Sequence, residues 1–104
     1  MLDALRVRDG NVCAFTGMES DRLVPHHRAN RGHGGSRAGN TLSNLVLVDS
    51  IVNGRFEDDL APVARELGFK ISRYAVPASI PLKHAIHGWV LLDDYGNRVC
   101  LDSV

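Results

Sequence analysis

The chain has 104 residues, of which 44% are hydrophobic and 23% charged, enough to build one modest core and too little for two. No apolar run approaches the length of a bilayer span, and residues 1–6 lack the basic start, apolar middle and cleavage site of a secretory signal, so the reading is a cytoplasmic, single-domain protein over 1–104 with no membrane segment. The formal net charge of +0 excludes nucleic-acid binding by bulk charge, yet Arg22, Arg28, Arg31 and Arg37 share an acid-free stretch while Glu57, Asp58, Asp59, Asp93, Asp94 and Asp102 lie downstream, so any phosphate-binding surface must be local.

In chain order, residues 2–9 predict a short helix with Leu2, Leu5 and Val7 inward, stopped by Gly10. Residues 13–17 read as an extended piece entering a turn, and Leu23 and Val24 lead as a strand into His26 and His27 at its end. Between Asn30 and Asn40, Gly32, Gly34, Gly35 and Gly39 stand among small and basic residues, which rules out helix or ladder strand and makes a long loop. The apolar run Leu45-Val46-Leu47-Val48 has strand length and pairs back on the histidine strand. Asp49 or Ser50 caps a helix starting at Ile51, whose apolar face comprises Ile51, Val52, Phe56 and Leu60, while Asn53 and Glu57 share another face. Pro62 divides the helical stretch in two, and Gly68 ends it. Residues 69–73 alternate as a strand, residues 77–81 form a proline-bounded connector, and residues 88–92 and 98–101 make a terminal hairpin. Cys13 and Cys100 are compatible with one disulfide or two free thiols, and a reducing cell favours thiols.

The chemistry concentrates around the histidine pair. Neighbouring side chains on a strand point to opposite sides, so one imidazole can hold a divalent cation while the other takes a proton from water. Asn53, on the helix, offers a carbonyl oxygen of the kind hard cations prefer. Together these groups suffice for metal-assisted hydrolysis of a phosphodiester. Taken singly the signals are weak: surface histidines are common, an asparagine ahead of a strand is usually a turn residue, and Asn53 could be a solvated helix position. Their order is more specific: strand, His-His, basic glycine loop, Asn44, apolar strand, helix with Asn53.

That order resembles the HNH endonucleases, and most of all the small free-standing HNH proteins of bacteriophages, over residues 13–59. The resemblance implies an α+β fold built on a ββα-metal finger with a long Gly-rich loop, plus the short N-terminal helix and the C-terminal β-hairpin. Carried over by position, it makes His26 the first metal ligand, His27 the general base, Asn44 the residue that pins the loop and so orients His27, and Asn53 the second metal ligand. Glu57 sits where some nuclease colicins place a further ligand, so its carboxylate could bind the cation directly, act through water or be merely solvated. The implied cofactor is one divalent metal, Mg²⁺ or Mn²⁺, and the implied substrate is double-stranded DNA, cut or nicked to leave a 5′-phosphate and a 3′-hydroxyl.

Many phage relatives flank the motif with two Cys-x-x-Cys pairs that hold structural zinc. Here Cys13 is followed by Thr16, and Asp49 and Val52 occupy the other pair, which excludes a four-cysteine site on ligand count and leaves no structural zinc expected. For phosphate contacts, guanidinium geometry favours Arg28 first, then Arg55, with Arg31 and Arg37 beside them. His33 reads as a solvated loop residue, His84 and His87 as structural, and Trp89 as core. The competing expectation is an HNH-fold nucleic-acid-binding or assembly module that cuts poorly, for instance as an accessory to phage packaging proteins.

Overall fold

Every residue of strand β2 (Leu45–Asp49) is buried, because the strand has a layer on each face. Successive side chains of a strand alternate. Val46 and Val48 enter a core with Val52, Phe56, Ala64, Phe69, Leu82, Val90 and Leu92, whereas Leu45 and Leu47 turn the other way and pack with Leu5 of helix α1 (Leu2–Asp9). Strand β1 (Leu23–His27) pairs antiparallel with β2, placing His26 opposite Val46 and His27 opposite Leu45. Pro25 lacks an N–H for a second neighbour, which is tolerated in a two-stranded sheet where β1 has one partner. The antiparallel pairing of the two strands is as the sequence predicts. The computed structural model describes residues 2–30 and 39–102, so Gly32, Gly34 and Gly35 of the loop lie outside the described residues.

Helix α1 buries Leu5 and Asp9, which puts Val7 on the opposite side, 88% exposed rather than inward. Arg8 fastens this helix: its buried guanidinium donates to the carbonyls of Leu42 and Leu45 and to the Asp9 carboxylate. Helix α2 (Ser50–Arg55) follows β2 directly, capped by Asp49, whose Oδ1 accepts from Ile51 N at 2.8 Å. Val52 and Phe56, four apart, form its buried stripe. Ile51 lies a hundred-degree step to the side and is 58% exposed, so it does not belong to the apolar face assigned to it.

Helix α3 (Ala61–Glu66) is the second helical piece, with Pro62 in its first turn. Residues 69–73 do not form a strand. Gly68 adopts φ +83°, and the N–H groups of Phe69 and Lys70 both donate to Ala64 O, so this segment satisfies the helix end instead of a ladder. Ile71 alone of the five makes a bridge, parallel to Ala29. After a 3₁₀ turn at Pro77–Ser79, strands β3 (Leu82–His84), β4 (Gly88–Leu92) and β5 (Arg98–Cys100) form an antiparallel sheet in that order, one strand more than the terminal hairpin expected. Trp89 is half-buried, with the Lys83 ammonium 5.7 Å from its ring, so it belongs to the sheet surface as much as to the core. Cys13 is a buried free thiol and Cys100 an exposed one. The architecture is α+β, and among the described residues no helix is long and apolar enough to cross a membrane.

Candidate functional site

His26 lies on the aromatic side of the hairpin. Its ring centroid is 4.8 Å from that of Phe56, which packs with Phe15 at 5.3 Å and Phe69 at 5.4 Å, and the imidazole is 7% exposed. Nε2 stands 2.6 Å from Phe69 O, and Nδ1 stands 2.7 Å from Asn53 Oδ1. Both oxygens only accept and a neutral imidazole carries one hydrogen, which Nε2 donates to the nearer, Phe69 O. Burial holds the imidazole pKa below its ordinary value, against the raising effect of the Phe69 and Asn53 oxygens, and so favours the neutral ring. The Nδ1 lone pair then faces the Asn53 oxygen, two electron-rich atoms converging from β1 and α2. A cation satisfies both, and a ligating histidine whose other nitrogen donates to a carbonyl is a familiar arrangement. The donor set fits a divalent metal held by His26 Nδ1 and Asn53 Oδ1.

Glu57, in the turn after α2, has an exposed carboxylate that accepts from Lys70 Nζ at 2.6 Å, and its charge favours the protonated form of His26. Among the described residues no three His, Cys, Asp or Glu side chains gather as a metal cluster, so a cation here would lean on one imidazole, one amide and oxygens from solvent or substrate.

His27, the next residue of β1, is exposed. Its Nε2 lies 2.7 Å from Asn40 Oδ1, an oxygen that accepts, which leaves Nδ1 with a free lone pair. Asn44 does not touch His27. Fully buried, it accepts from Ala29 N through Oδ1 at 2.8 Å, and its Nδ2 donates to Ala29 O and Gly39 O at 3.0 Å, tying together the chain on either side of the glycine-rich loop. Asn44 thus acts on His27 through backbone, and Asn40, one residue beyond Gly39, makes the direct contact. Sequence reasoning passed over Asn40 because an asparagine at the end of a glycine loop reads as a turn residue.

The phosphate-contact role assigned to Arg28 is overturned. The side chain is 1% exposed, and its guanidinium donates to Gly68 O at 2.8 Å, Ser43 O at 2.9 Å, Pro77 O at 3.1 Å and Ile80 O at 2.7 Å. Desolvation, with a smaller contribution from Arg8, pulls its pKa down to about 10, so it remains charged. Arg55 is exposed and paired with Asp59 at 2.7 Å, within reach of solvent. Arg31, Arg37 and His33 lie outside the described residues.

Comparison of the chain with protein-family models, with curated proteins and with solved structures finds no match. One further geometric feature bears on the resemblance. Cys13, Thr16, Asp49 and Val52, distant in sequence, line one cavity of about 440 Å³. There the Asp49 carboxylate accepts from Ser20 Oγ at 2.7 Å and Arg22 Nη2 at 3.0 Å besides capping α2, and these hydrogen bonds hold its pKa below the usual carboxylate range.

Proposed function

We propose that this protein is a divalent-metal-dependent DNA endonuclease or nickase of the HNH type, built on a ββα-metal finger comprising β1, β2 and α2. The observation that carries the reading is the convergence of His26 Nδ1 and Asn53 Oδ1 at 2.7 Å beside an exposed histidine whose other nitrogen is already held. A second feature supports it: the four positions at which zinc-bearing relatives carry cysteines, Cys13, Thr16, Asp49 and Val52, line one cavity. His26 and Asn53 would hold Mg²⁺ or Mn²⁺, which when bound supplies neutralisation of charge on the phosphate and leaving oxygens. His27 accepts the proton of the attacking water at Nδ1, because its Nε2–H is engaged by Asn40. Asn44 keeps that imidazole in place by fixing Ala29 and Gly39.

A module that binds nucleic acid or assembles with phage packaging proteins while cutting poorly is the second reading, favoured by the burial of Arg28 and the pairing of Arg55. A plasmid-nicking assay with Mg²⁺ or Mn²⁺ separates the two. The wild type nicks only with metal, and His27→Ala slows nicking by about 100-fold or more, the usual contribution of a general base. Absence of metal-dependent cleavage, or equal cleavage by both proteins, overturns the enzyme.

A further inference from the structure

Arg28, displaced from the role of phosphate contact, anchors a neighbouring turn that suits that role better. Its guanidinium holds Gly68 O on one side of the turn and Pro77 O and Ile80 O on the other. Between them, Ile71 N donates to Arg28 O at 3.0 Å and Ile71 bridges Ala29, so the segment is fastened to the residues that directly follow His27. Its near end also carries the Phe69 carbonyl that holds His26.

The tip at residues 72–75 is a closed turn: Ala75 N donates to Ser72 O at 3.0 Å and Tyr74 N to Ser72 Oγ at 3.1 Å. It presents Tyr74, 84% exposed, with the Arg73 guanidinium 5.4 Å from the ring centroid. Arg6, Arg22, Arg55, Arg98 and Lys70 each have a carboxylate partner, whereas Arg73, like Arg65 and Lys83, has none among the described residues, and Arg73 stands over the exposed Tyr74 ring. An uncompensated guanidinium beside an open aromatic face, on a turn held at both ends, matches a nucleic-acid strand. The cation takes a phosphate, and the free face of the ring takes a base.

We propose that the 72–75 turn is a nucleic-acid contact, with Arg73 on a backbone phosphate and Tyr74 stacked on an unpaired base of the strand presented to His26 and His27. The inference rests on the nuclease reading for its choice of substrate.

The test is fluorescence anisotropy of labelled single-stranded and duplex oligonucleotides with the full chain in EDTA, with thermal melting confirming that each variant is folded. Arg73→Ala weakens binding about fivefold and lowers the salt dependence by about one phosphate contact. Tyr74→Ala weakens single-strand binding about fivefold or more and duplex binding less, while Tyr74→Phe retains the wild-type affinity because any base face stacks on either ring. Arg65→Ala, removing an exposed cation of α3, stays within about twofold, as a distant surface charge should. Wild-type affinity in both Arg73→Ala and Tyr74→Ala, or equal losses in all three alanine variants, overturns the assignment. So does a wild type that binds neither oligonucleotide, which would leave the turn to a protein partner. If the turn variants lose affinity while the wild type fails to nick with metal, the nuclease reading falls and the contact stands. Nicking with unchanged affinity in the variants does the reverse.

Discussion

Among the described residues two histidines are buried, each followed closely by a second, and the two regions use them differently. His26 and His84 are both held below the ordinary imidazole pKa chiefly by burial, His84 to about 4. His27 adjoins the first, and the ring of His87 lies 4.5 Å from that of His84. Around His26 the neighbours offer two oxygens, one consuming the ring hydrogen and one facing the lone pair. Around His84 the lone pair of Nδ1 is consumed by the N–H groups of Ile86 and His87, and the hydrogen on Nε2 is buried with no partner among the described residues. The first leaves a lone pair aimed at another oxygen, an arrangement that a cation would satisfy. The second ties a turn. What surrounds an imidazole, rather than the presence of a histidine pair, separates site from scaffold.

The largest effect should come from the residue that locks the first region. Arg28→Met keeps most of the buried stem but leaves the carbonyls of Gly68, Ser43 and Ile80 without a donor, Pro77 O keeping Ile80 N, and at on the order of 1–3 kcal/mol each before relaxation a net loss of about 3–5 kcal/mol is expected. Urea unfolding measures it. A loss under about 1 kcal/mol would mean that water reaches those carbonyls and that the turn at 72–75 is not held as described.

The second region should announce itself through pH. A histidine whose folded pKa is depressed binds protons more readily when unfolded, so its contribution to stability is complete above the unfolded value near 6.5 and is lost as pH falls towards 4. The swing is about 3 kcal/mol at most. Arg8, Arg98 and His87 oppose protonation of His84, and Asp9 favours it. His84→Gln, compared with wild type by urea unfolding between those pH values, should remove most of this dependence and leave Mn²⁺ binding untouched. An unchanged slope would show that Nε2 finds a partner in solution.

The hairpin, the capped helix and its break at Pro62 were legible because each rests on local chemistry: an apolar run, an acidic cap, a residue without an N–H. The strand expected over residues 69–73 failed because alternation in Phe69-Lys70-Ile71-Ser72-Arg73 cannot reveal that two of its N–H groups are taken by Ala64 O. Arg28 was misread for a related reason. A guanidinium beside a candidate base looks like a phosphate contact in sequence, and only the fold shows four carbonyls from distant segments gathered around it. Asn40 and Arg73 were missed because loop and turn residues carry no periodicity. Ile51 erred by a single step round its helix and Val7 by about half a turn, errors short helices invite because so few residues define the stripe.

Asn53→Ala returns the question to the first region. Losing one of two protein ligands should weaken Mn²⁺ binding by about tenfold or more, judged against the cost of removing even an outer-shell partner, as measured by titration calorimetry or the Mn²⁺ resonance signal. Because no hydrogen lies between Asn53 Oδ1 and the His26 lone pair when Nε2 carries it, stability should change by under about 1 kcal/mol. Mn²⁺ binding equal to wild type would dismiss Asn53 as a ligand.

The smallest effect is assigned to Glu57, and it decides how far the metal site extends. The carboxylate is exposed and paired with Lys70, so Glu57→Gln should change stability by under about 0.5 kcal/mol, as exposed ion pairs generally do. Its negative charge reaches His26 without a direct hydrogen bond, so it is expected to act on a bound cation as a field. Removing a field of that kind through solvent weakens Mn²⁺ binding by about threefold or less, since exposed charges are screened over short distances. A tenfold loss would instead require the carboxylate to leave Lys70 and enter the coordination sphere, and the site would then comprise His26, Asn53 and Glu57.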